Sequence, residues 1–152
     1  MYFYLFDTPL GAMALAGEEG AVTGLYLPGR PMPRLASQPS LLLERGREEL
    51  LEYLAGERRG FDLPLAPAGT PFQQKVWRAL EDIPYGQTRS YRDIALAAGC
   101  PKGFRAVGMA NHRNPIPIFI PCHRVVGADG SLTGYAGGLE LKKRLLELEG
   151  AG

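Results

Sequence analysis

The chain has 152 residues, of which 45% are hydrophobic and 22% charged, a composition typical of a folded globular protein rather than a disordered one. This length accommodates one domain or two small ones. No apolar run approaches the roughly 20 residues of a spanning helix, and the first residues lack the basic start and cleavage site of a signal peptide. We therefore expect a cytoplasmic protein with no membrane partner, in which Cys100 and Cys122 are free thiols.

The net charge of +1 conceals an acidic first half and a basic second half. Residues 1–69 carry six Arg against nine Asp and Glu, net −3, whereas residues 70–152 carry eleven Lys and Arg against seven acids, net +4. Within residues 85–113, five basic residues accompany a single acid, Asp93. Such a cluster fits a polyanionic partner, but it equally fits a solvated basic face. Charge alone leaves both interpretations open.

The first predicted elements are short strands. Residues 2–29 alternate apolar runs with the turn sequences "TPLG" and "EEG", which is typical of an antiparallel meander. A Pro-rich loop then leads to Ser40, a predicted N-cap, and to a helix ending at Gly56. A short strand and a linker follow. We place the domain boundary in this linker, with an N-terminal α/β domain over 1–66 and a second domain over 67–152.

The second domain begins with a helix whose start is marked by three residues. Thr70 is the predicted N-cap, Pro71 occupies the first helical position, and Gln73 completes a capping box. Pro84 ends this helix.

Two further short helices are predicted on either side of the turn "CPKG". The first begins after Ser90 and stops at Gly99, and the second spans about Phe104 to Arg113. Together they form a helix-turn-helix pattern. An ordinary pair of core helices is the alternative, and the basic cluster on this segment favours the helix-turn-helix.

The stretch "IFIPCHRVVG" places Cys122, His123 and Arg124 inside an apolar run predicted to be extended. A buried cysteine usually acts as a small hydrophobe, whereas a nucleophile needs a neighbouring base or cation. On a regular strand Cys122 and His123 point to opposite faces, so their pairing requires a bend or a bridging water. Glu149, near the end of a helix predicted from Leu139, is a candidate to orient the imidazole.

Two other features of this region bear on ligands. Glycines 134, 137 and 138 flank Tyr135, an arrangement that lets a flat ligand approach the backbone and that also suits a flexible connector. Two Cys and two His without a spacing such as Cys-x-x-Cys make a zinc site improbable.

Several motifs together resemble the O6-alkylguanine-DNA alkyltransferase family of direct-reversal DNA repair proteins. They are "IPYGQTRSY", "RAVGMAN", "PCHRVVG", "SLTGYAGGL" and "KRLLELEG". The resemblance is dense over residues 70–150 and looser over 1–66, where "DTPLGAMALA" and "GLYLPG" carry it.

The resemblance implies an α/β (α+β) fold in two parts. A small N-terminal sheet-plus-helix domain, ribonuclease H-like, precedes a mainly helical domain with a winged-helix-like helix-turn-helix that binds the DNA minor groove. The implied activity is single-turnover transfer of an alkyl group from O6-alkylguanine, and from O4-alkylthymine, in double-stranded DNA to the protein's own cysteine after base flipping. A monomer without metal or cofactor is implied.

Position by position, the resemblance assigns roles to individual residues. The family's nucleophile falls on Cys122, its histidine on His123 and its orienting glutamate on Glu149. The hinge asparagine matches Asn114, and the tyrosine that expels the repaired base matches Tyr91. The DNA contacts fall on Ser90, Tyr91, Arg105, Ala106, Arg113 and Arg124, of which Arg105 fills the gap left by the flipped base. The substrate pocket falls on Val125, Tyr135, Ala136 and Lys142.

We expect the His123 imidazole, held by Glu149, to take the Cys122 proton directly or through water when a flipped base arrives. This leaves a nucleophile whose effective pKa is below the value of about 8.5 of free cysteine. Phe104, Asn111 and His112 depart from the family's pattern in the second helix of the helix-turn-helix. The alternative within the same fold is an alkyltransferase-like protein that binds damage without transfer. Such proteins typically lack the cysteine, so Cys122 favours transfer. A thiol hydrolase would not need the basic helix-turn-helix.

Overall fold

The computed structural model describes residues 1–151 and divides into two compact units, Met1–Ala68 and Gly69–Gly152, with Gly152 itself outside the described residues. Strands and helices occur in both units, which confirms the predicted mixed α/β class. The division lies two residues beyond the boundary expected from the sequence.

The first unit is built on a three-stranded antiparallel sheet. Its strands β1 (Tyr2–Thr8), β2 (Gly11–Glu18) and β3 (Ala21–Tyr26) follow one another in space as in sequence, which confirms the predicted meander. The predicted strand after the helix is reduced to an isolated bridge between Leu65 and Val22.

One helix covers this sheet. It is α1 (Leu41–Leu54), and the Ser40 side chain caps its start by accepting from the backbone N–H of Leu43. Gly46 lies so close to the sheet that a Cβ there would come within 2.9 Å of the Leu15 side chain. The absence of a side chain at Gly46 therefore allows close helix–sheet packing.

The second unit contains the helices α2 (Pro71–Glu81), α3 (Tyr91–Ala97), α4 (Phe104–His112) and α5 (Leu139–Leu148). Two short parallel strands, β4 (Arg89–Ser90) and β5 (Val125–Val126), join the start of α3 to the segment after Cys122. The buried indole of Trp77 donates to the carbonyl of Ala110 at 2.9 Å and so ties α2 to α4.

The backbone departs from an extended conformation at Cys122, which provides the bend that the sequence left open. Residues Cys122–Arg124 form a 3₁₀ turn, and regular strand begins only at Val125. The turn is closed by the N–H of Arg124, which donates to the carbonyl of Pro121 at 3.0 Å. Pro121 has no N–H with which to continue a strand ladder, so the chain bends at this point.

Within residues 1–151, no helix combines the length and apolar character needed to cross a bilayer.

We expect Thr70→Ala to lower the free energy of unfolding of the second unit by about 1 kcal/mol, because the mutation removes the N-cap of α2. The predicted capping box is present: the Thr70 hydroxyl accepts from the Gln73 N–H at 3.1 Å, and the Gln73 side chain accepts from the Thr70 N–H at 3.0 Å. Urea unfolding monitored by Trp77 fluorescence measures the change. Thr70→Ser keeps the hydroxyl and serves as the control, and equal stability of the Ala and Ser variants would contradict the assignment.

Candidate active site around Cys122

The segment that delivers Cys122 is held in shape by Asn114. Its side-chain amide donates to the carbonyl of Ile120 at 2.8 Å, and its side-chain carbonyl accepts from the N–H of Ile116 at 3.0 Å. Between these anchors, buried Ile118 adopts a φ of +72°, a conformation that β-branched residues rarely accept. The Asn114 bridges and the surrounding core together enforce a strained loop immediately before the cysteine.

Cys122 begins the 3₁₀ turn and is only 2% exposed. Burial raises the pKa of its thiol to about 11, although hydrogen bonds from Asn114 and Tyr135 and the nearby charge of Lys142 act in the opposite direction. The lowered effective pKa expected during the reaction is therefore not a property of the resting thiol. Desolvation outweighs every group that would favour the thiolate.

His123 and Glu149 form the buried pair predicted from the sequence. The imidazole Nε2 lies 2.8 Å from a Glu149 carboxylate oxygen, and neither side chain is exposed. Burial lowers the pKa of His123, even though its bond to Glu149 acts to raise it. A neutral imidazole that donates from Nε2 to the carboxylate carries its lone pair on Nδ1. Among the described residues, Nδ1 has no hydrogen-bond partner.

Arg124 occupies a different place from that expected of a residue that contacts DNA. It is 7% exposed, and its guanidinium binds both carboxylate oxygens of Glu149, at 2.9 and 3.0 Å. A further N–H donates to the carbonyl of Ile83 at 2.7 Å, and the group lies 5.7 Å from the centre of the Tyr85 ring. The structure does not support a contact between Arg124 and DNA, because Glu149 and Ile83 already occupy its donors.

The predicted pocket residues are linked through Lys142. This buried ammonium donates to the carbonyls of Val125, at 2.6 Å, and Thr133, at 2.9 Å. Burial lowers its pKa to about 8. Tyr135 is buried and acts to lower the pKa of the Cys122 thiol, whereas Ala136 is half-buried in the following turn. Lys142 thus fixes the glycine-flanked loop beside the thiol.

Tyr91 connects the helix-turn-helix to the same loop. It is the first residue of α3, is half-buried, and shares a hydrogen bond of 2.6 Å with the hydroxyl of Thr133. Ser90 caps α3 through a reciprocal pair of hydrogen bonds with Asp93. The Ser90 hydroxyl is therefore engaged as a helix cap in this structure.

The remaining predicted DNA contacts lie on the surface of α4 and its end. Arg105 and Ala106 are exposed in its first turn, and Arg113 is exposed at its C-cap. Arg92 and Lys102 are exposed nearby in the chain. The structure thus presents most of the basic cluster to solvent on the helix-turn-helix.

Sequence reasoning missed two residues that support the cysteine. Asn111 is 3% exposed, and its side-chain amide donates to the carbonyl of Cys122 at 3.4 Å. Its side chain therefore points into the core and not toward the outer surface of α4. Helical spacing was a usable signal, because Asn111 follows buried Val107 by four residues. Thr133, which contacts both Tyr91 and Lys142, carried no signal in the sequence.

Comparison with known proteins gives one family throughout. A family model described as 6-O-methylguanine DNA methyltransferase, DNA binding domain, matches residues 71–151, more than half of the chain. The constitutive methylated-DNA--protein-cysteine methyltransferase of Bacillus subtilis is 49% identical over 97% of this chain and 94% of its own length. The methylated-DNA--protein-cysteine methyltransferase of Methanosarcina acetivorans is 48% identical over 99% of each chain.

Solved structures agree with the sequence relatives. The crystal structure of Mycobacterium tuberculosis OGT in complex with DNA matches with a TM-score of 0.91 and 46% identity, over 99% of this chain and 93% of that one. The O6-methylguanine-DNA methyltransferase of the hyperthermophilic archaeon Pyrococcus kodakaraensis matches with a TM-score of 0.61 and 27% identity, over 97% of this chain and 99% of that one.

The family model covers the unit that carries Cys122, the helix-turn-helix and the His123–Glu149 pair, and the sequence relatives extend the similarity along nearly the whole length. The chain belongs to the methylated-DNA--protein-cysteine methyltransferase family.

Proposed function

We propose that this protein repairs alkylated DNA by direct reversal, transferring the alkyl group of O6-alkylguanine, and of O4-alkylthymine, to Cys122. The observation that carries the proposal is the buried His123–Glu149 hydrogen bond of 2.8 Å beside a buried thiol, in the unit that holds the basic helix-turn-helix. Family membership supports the same reaction, since the relatives are named for methyl transfer from DNA to a protein cysteine.

The proton of Cys122 is the first obstacle to this chemistry. With a thiol pKa of about 11, almost no thiolate exists at neutral pH, so the proton must leave as part of the reaction. His123 is the proposed acceptor, because Glu149 fixes the imidazole so that Nδ1 carries the free lone pair. Transfer occurs directly or through a water molecule. The ammonium of Lys142 and the donors of Asn114 and Tyr135 then stabilise the sulfur anion.

The group transfer is a displacement at the alkyl carbon. The bond from Sγ of Cys122 to carbon forms while the bond from carbon to O6 breaks, and the electron pair of that bond stays on guanine. Guanine takes up one proton, which balances the proton that Cys122 passed to His123. A thioether has no easy hydrolytic exit, so each protein molecule reacts once. The proposed mechanism uses only the side chains of this chain and the damaged base.

Access to the alkyl carbon requires that the damaged base leave the duplex. A base within the stack is out of reach of a thiol that is 2% exposed, so the base must be extruded into the pocket formed by Val125, Tyr135, Ala136 and Lys142. Arg105, exposed on α4, is proposed to occupy the vacated space from the minor groove, with Ala106 and Arg113 against the backbone. Tyr91 is proposed to aid expulsion of the base, and Ser90 to place the start of α3 near a phosphate.

Arg124 acts in this proposal through Glu149 rather than through DNA. Its two bonds to the carboxylate keep the acid oriented toward His123, so Arg124 is a positioning residue. The proposal takes residues 67–152 as the DNA-binding and transfer domain and the protein as a monomer. A cytoplasmic location suits a reaction that requires a reduced cysteine.

Incubation with excess duplex containing O6-methylguanine should add a single methyl group to Cys122 and then stop, because the thioether is not regenerated. Intact-protein and peptide mass spectrometry measure the stoichiometry and the modified residue. Glu149→Gln should slow the approach to the plateau more than it weakens DNA binding. Cys122→Ala, the control, should retain binding without transfer. Repeated turnover, methylation of Cys100, or binding without transfer by the unaltered protein would contradict the proposal.

Reaction of Cys122 with iodoacetamide in the absence of DNA should accelerate about tenfold for each pH unit between pH 7 and 10, because the thiolate fraction rises throughout this range when the pKa is about 11. The Cys122 peptide, quantified by mass spectrometry after timed quenching, gives the rate. Urea-unfolded protein is the control, and its rate should level off at lower pH. A plateau below pH 8 in the folded protein would show that the resting thiol is already ionised.

DNA affinity should fall with salt with a slope, in log–log form, of about −0.9 for each phosphate contacted, and about three to five contacts are expected from the basic cluster. Arg113→Gln should make the slope shallower by about 0.9. Arg144→Gln removes an exposed charge on α5, outside the helix-turn-helix, and should leave the slope unchanged. Fluorescence anisotropy across a salt series measures both. An affinity that does not change with salt would indicate that the basic cluster is a solvated surface and does not contact phosphates.

A further inference from the structure

The outward surface of α4 carries two large apolar side chains. Phe104 is 48% exposed and Met109 is 60% exposed, whereas Val107 and Ala110 of the same helix are buried. Single exposed apolar residues are common on protein surfaces, so their exposure alone indicates nothing. The position of Phe104 is more informative, because it is the first residue of α4 and directly precedes Arg105.

The start of α4 is built to attract anions. Its N-cap is Gly103, which offers no side-chain hydrogen bond, and the first turn contains no acidic residue. Lys102 and Arg105 are exposed on either side of Phe104 in the chain. The helix dipole and these two charges give the same sign of potential, so a polyanion would bring its surface against the Phe104 ring.

Helical geometry places Phe104 on the same flank of α4 as Tyr91. Gly108 lies one turn beyond Phe104, and a Cβ there would be 3.8 Å from the Tyr91 ring. Phe104 and the ring of Tyr91 thus flank one edge of the helix, and Arg105 projects about 100° further around it.

We propose that Phe104 is a second intercalating side chain, which enters the minor groove beside Arg105 and stacks on the base pair next to the flipped nucleotide. This inference rests on the proposed function and extends it. Apolar wedges that partly unstack base steps are a recurring device of minor-groove proteins, and the stacked face of a base pair accepts an aromatic ring whatever the sequence. Arg105 fills the vacated space, and Phe104 holds the adjacent step open.

The first test compares transfer from two forms of one substrate. Phe104→Ala should slow methyl transfer from O6-methylguanine in a duplex by about tenfold, the effect of losing one aromatic stacking contact. Transfer from the same strand without its complement should change less than about twofold, because no duplex step must be opened. Phe104→Leu retains an apolar wedge and should recover most of the duplex rate, whereas Phe104→Gln should not.

The matched control is Leu41→Ala. Leu41 is also the first residue of a helix and is 85% exposed, but it lies in the first unit and outside the basic cluster. This variant should transfer from both substrates at the unaltered rate. Equal loss on duplex and single strand for Phe104→Ala would assign Phe104 to the pocket or to folding, and an unchanged duplex rate would remove it from the mechanism. Either result overturns the proposal.

A second measurement separates this inference from the proposed reaction. In the Cys122→Ala background, 2-aminopurine placed next to a guanine in duplex DNA should brighten on binding as it unstacks, and the added change Phe104→Ala should abolish most of that rise. If the unaltered protein transfers no methyl group, the proposed function fails. The 2-aminopurine fluorescence still tests whether Phe104 unstacks the base step. A full fluorescence rise without the Phe104 ring would overturn the wedge even where methyl transfer proceeds normally.

Discussion

The buried carboxylate of Glu149 is the group on which the arrangement of the site depends. Its side chain is fully buried. The guanidinium of Arg124 compensates its charge on one side, and the imidazole of His123 lies within hydrogen-bonding distance on the other. Removing one partner of such a buried pair typically costs about 3–5 kcal/mol, because the remaining charge is left without compensation. The same bonds join the end of α5 to the 3₁₀ turn, and the Arg124 bond to Ile83 adds the end of α2. Catalytic geometry and local stability therefore rest on one set of contacts.

Burial also imposes a chemical cost at the neighbouring residue. The apolar surroundings that strengthen the His123–Glu149 bond raise the pKa of the Cys122 thiol to about 11. A thiol kept protonated is a poor nucleophile and a poor target for oxidants. In the proposed reaction Cys122 is consumed in a single event, so an unreactive resting state preserves its thiol until a base enters the pocket. In the proposed mechanism Asn114, Lys142 and His123 then act during the displacement, when charge develops on sulfur.

The sequence predicted best those features that depend on neighbouring residues in the chain. The N-caps at Ser40, Thr70 and Ser90 were identifiable because a cap is a local pattern of a few residues. The pairing of His123 with Glu149, which are 26 residues apart, was anticipated through the family resemblance and not from spacing. The sequence left a bend at Cys122 open but did not identify the 3₁₀ turn, because an apolar run bounded by proline does not distinguish a strand from a tight turn inside a core.

The contacts of Arg124 and the resting pKa of Cys122 were not anticipated from the sequence for one physical reason. A sequence lists charges and thiols without their solvation, and both interpretations left out the desolvation of groups that are 7% and 2% exposed. An arginine inside a basic segment suggests a phosphate contact, but in the structure the Arg124 N–H groups donate to Glu149 and to the carbonyl of Ile83. Conversely, the exposed Arg105 sits on a helix start that has no side-chain cap, where backbone N–H groups remain available to an anion. The unit thus combines a chemical centre whose polar groups are largely paired internally with a recognition helix whose donors face outward. Such a division requires the substrate base, rather than the protein's reactive residue, to make the large movement.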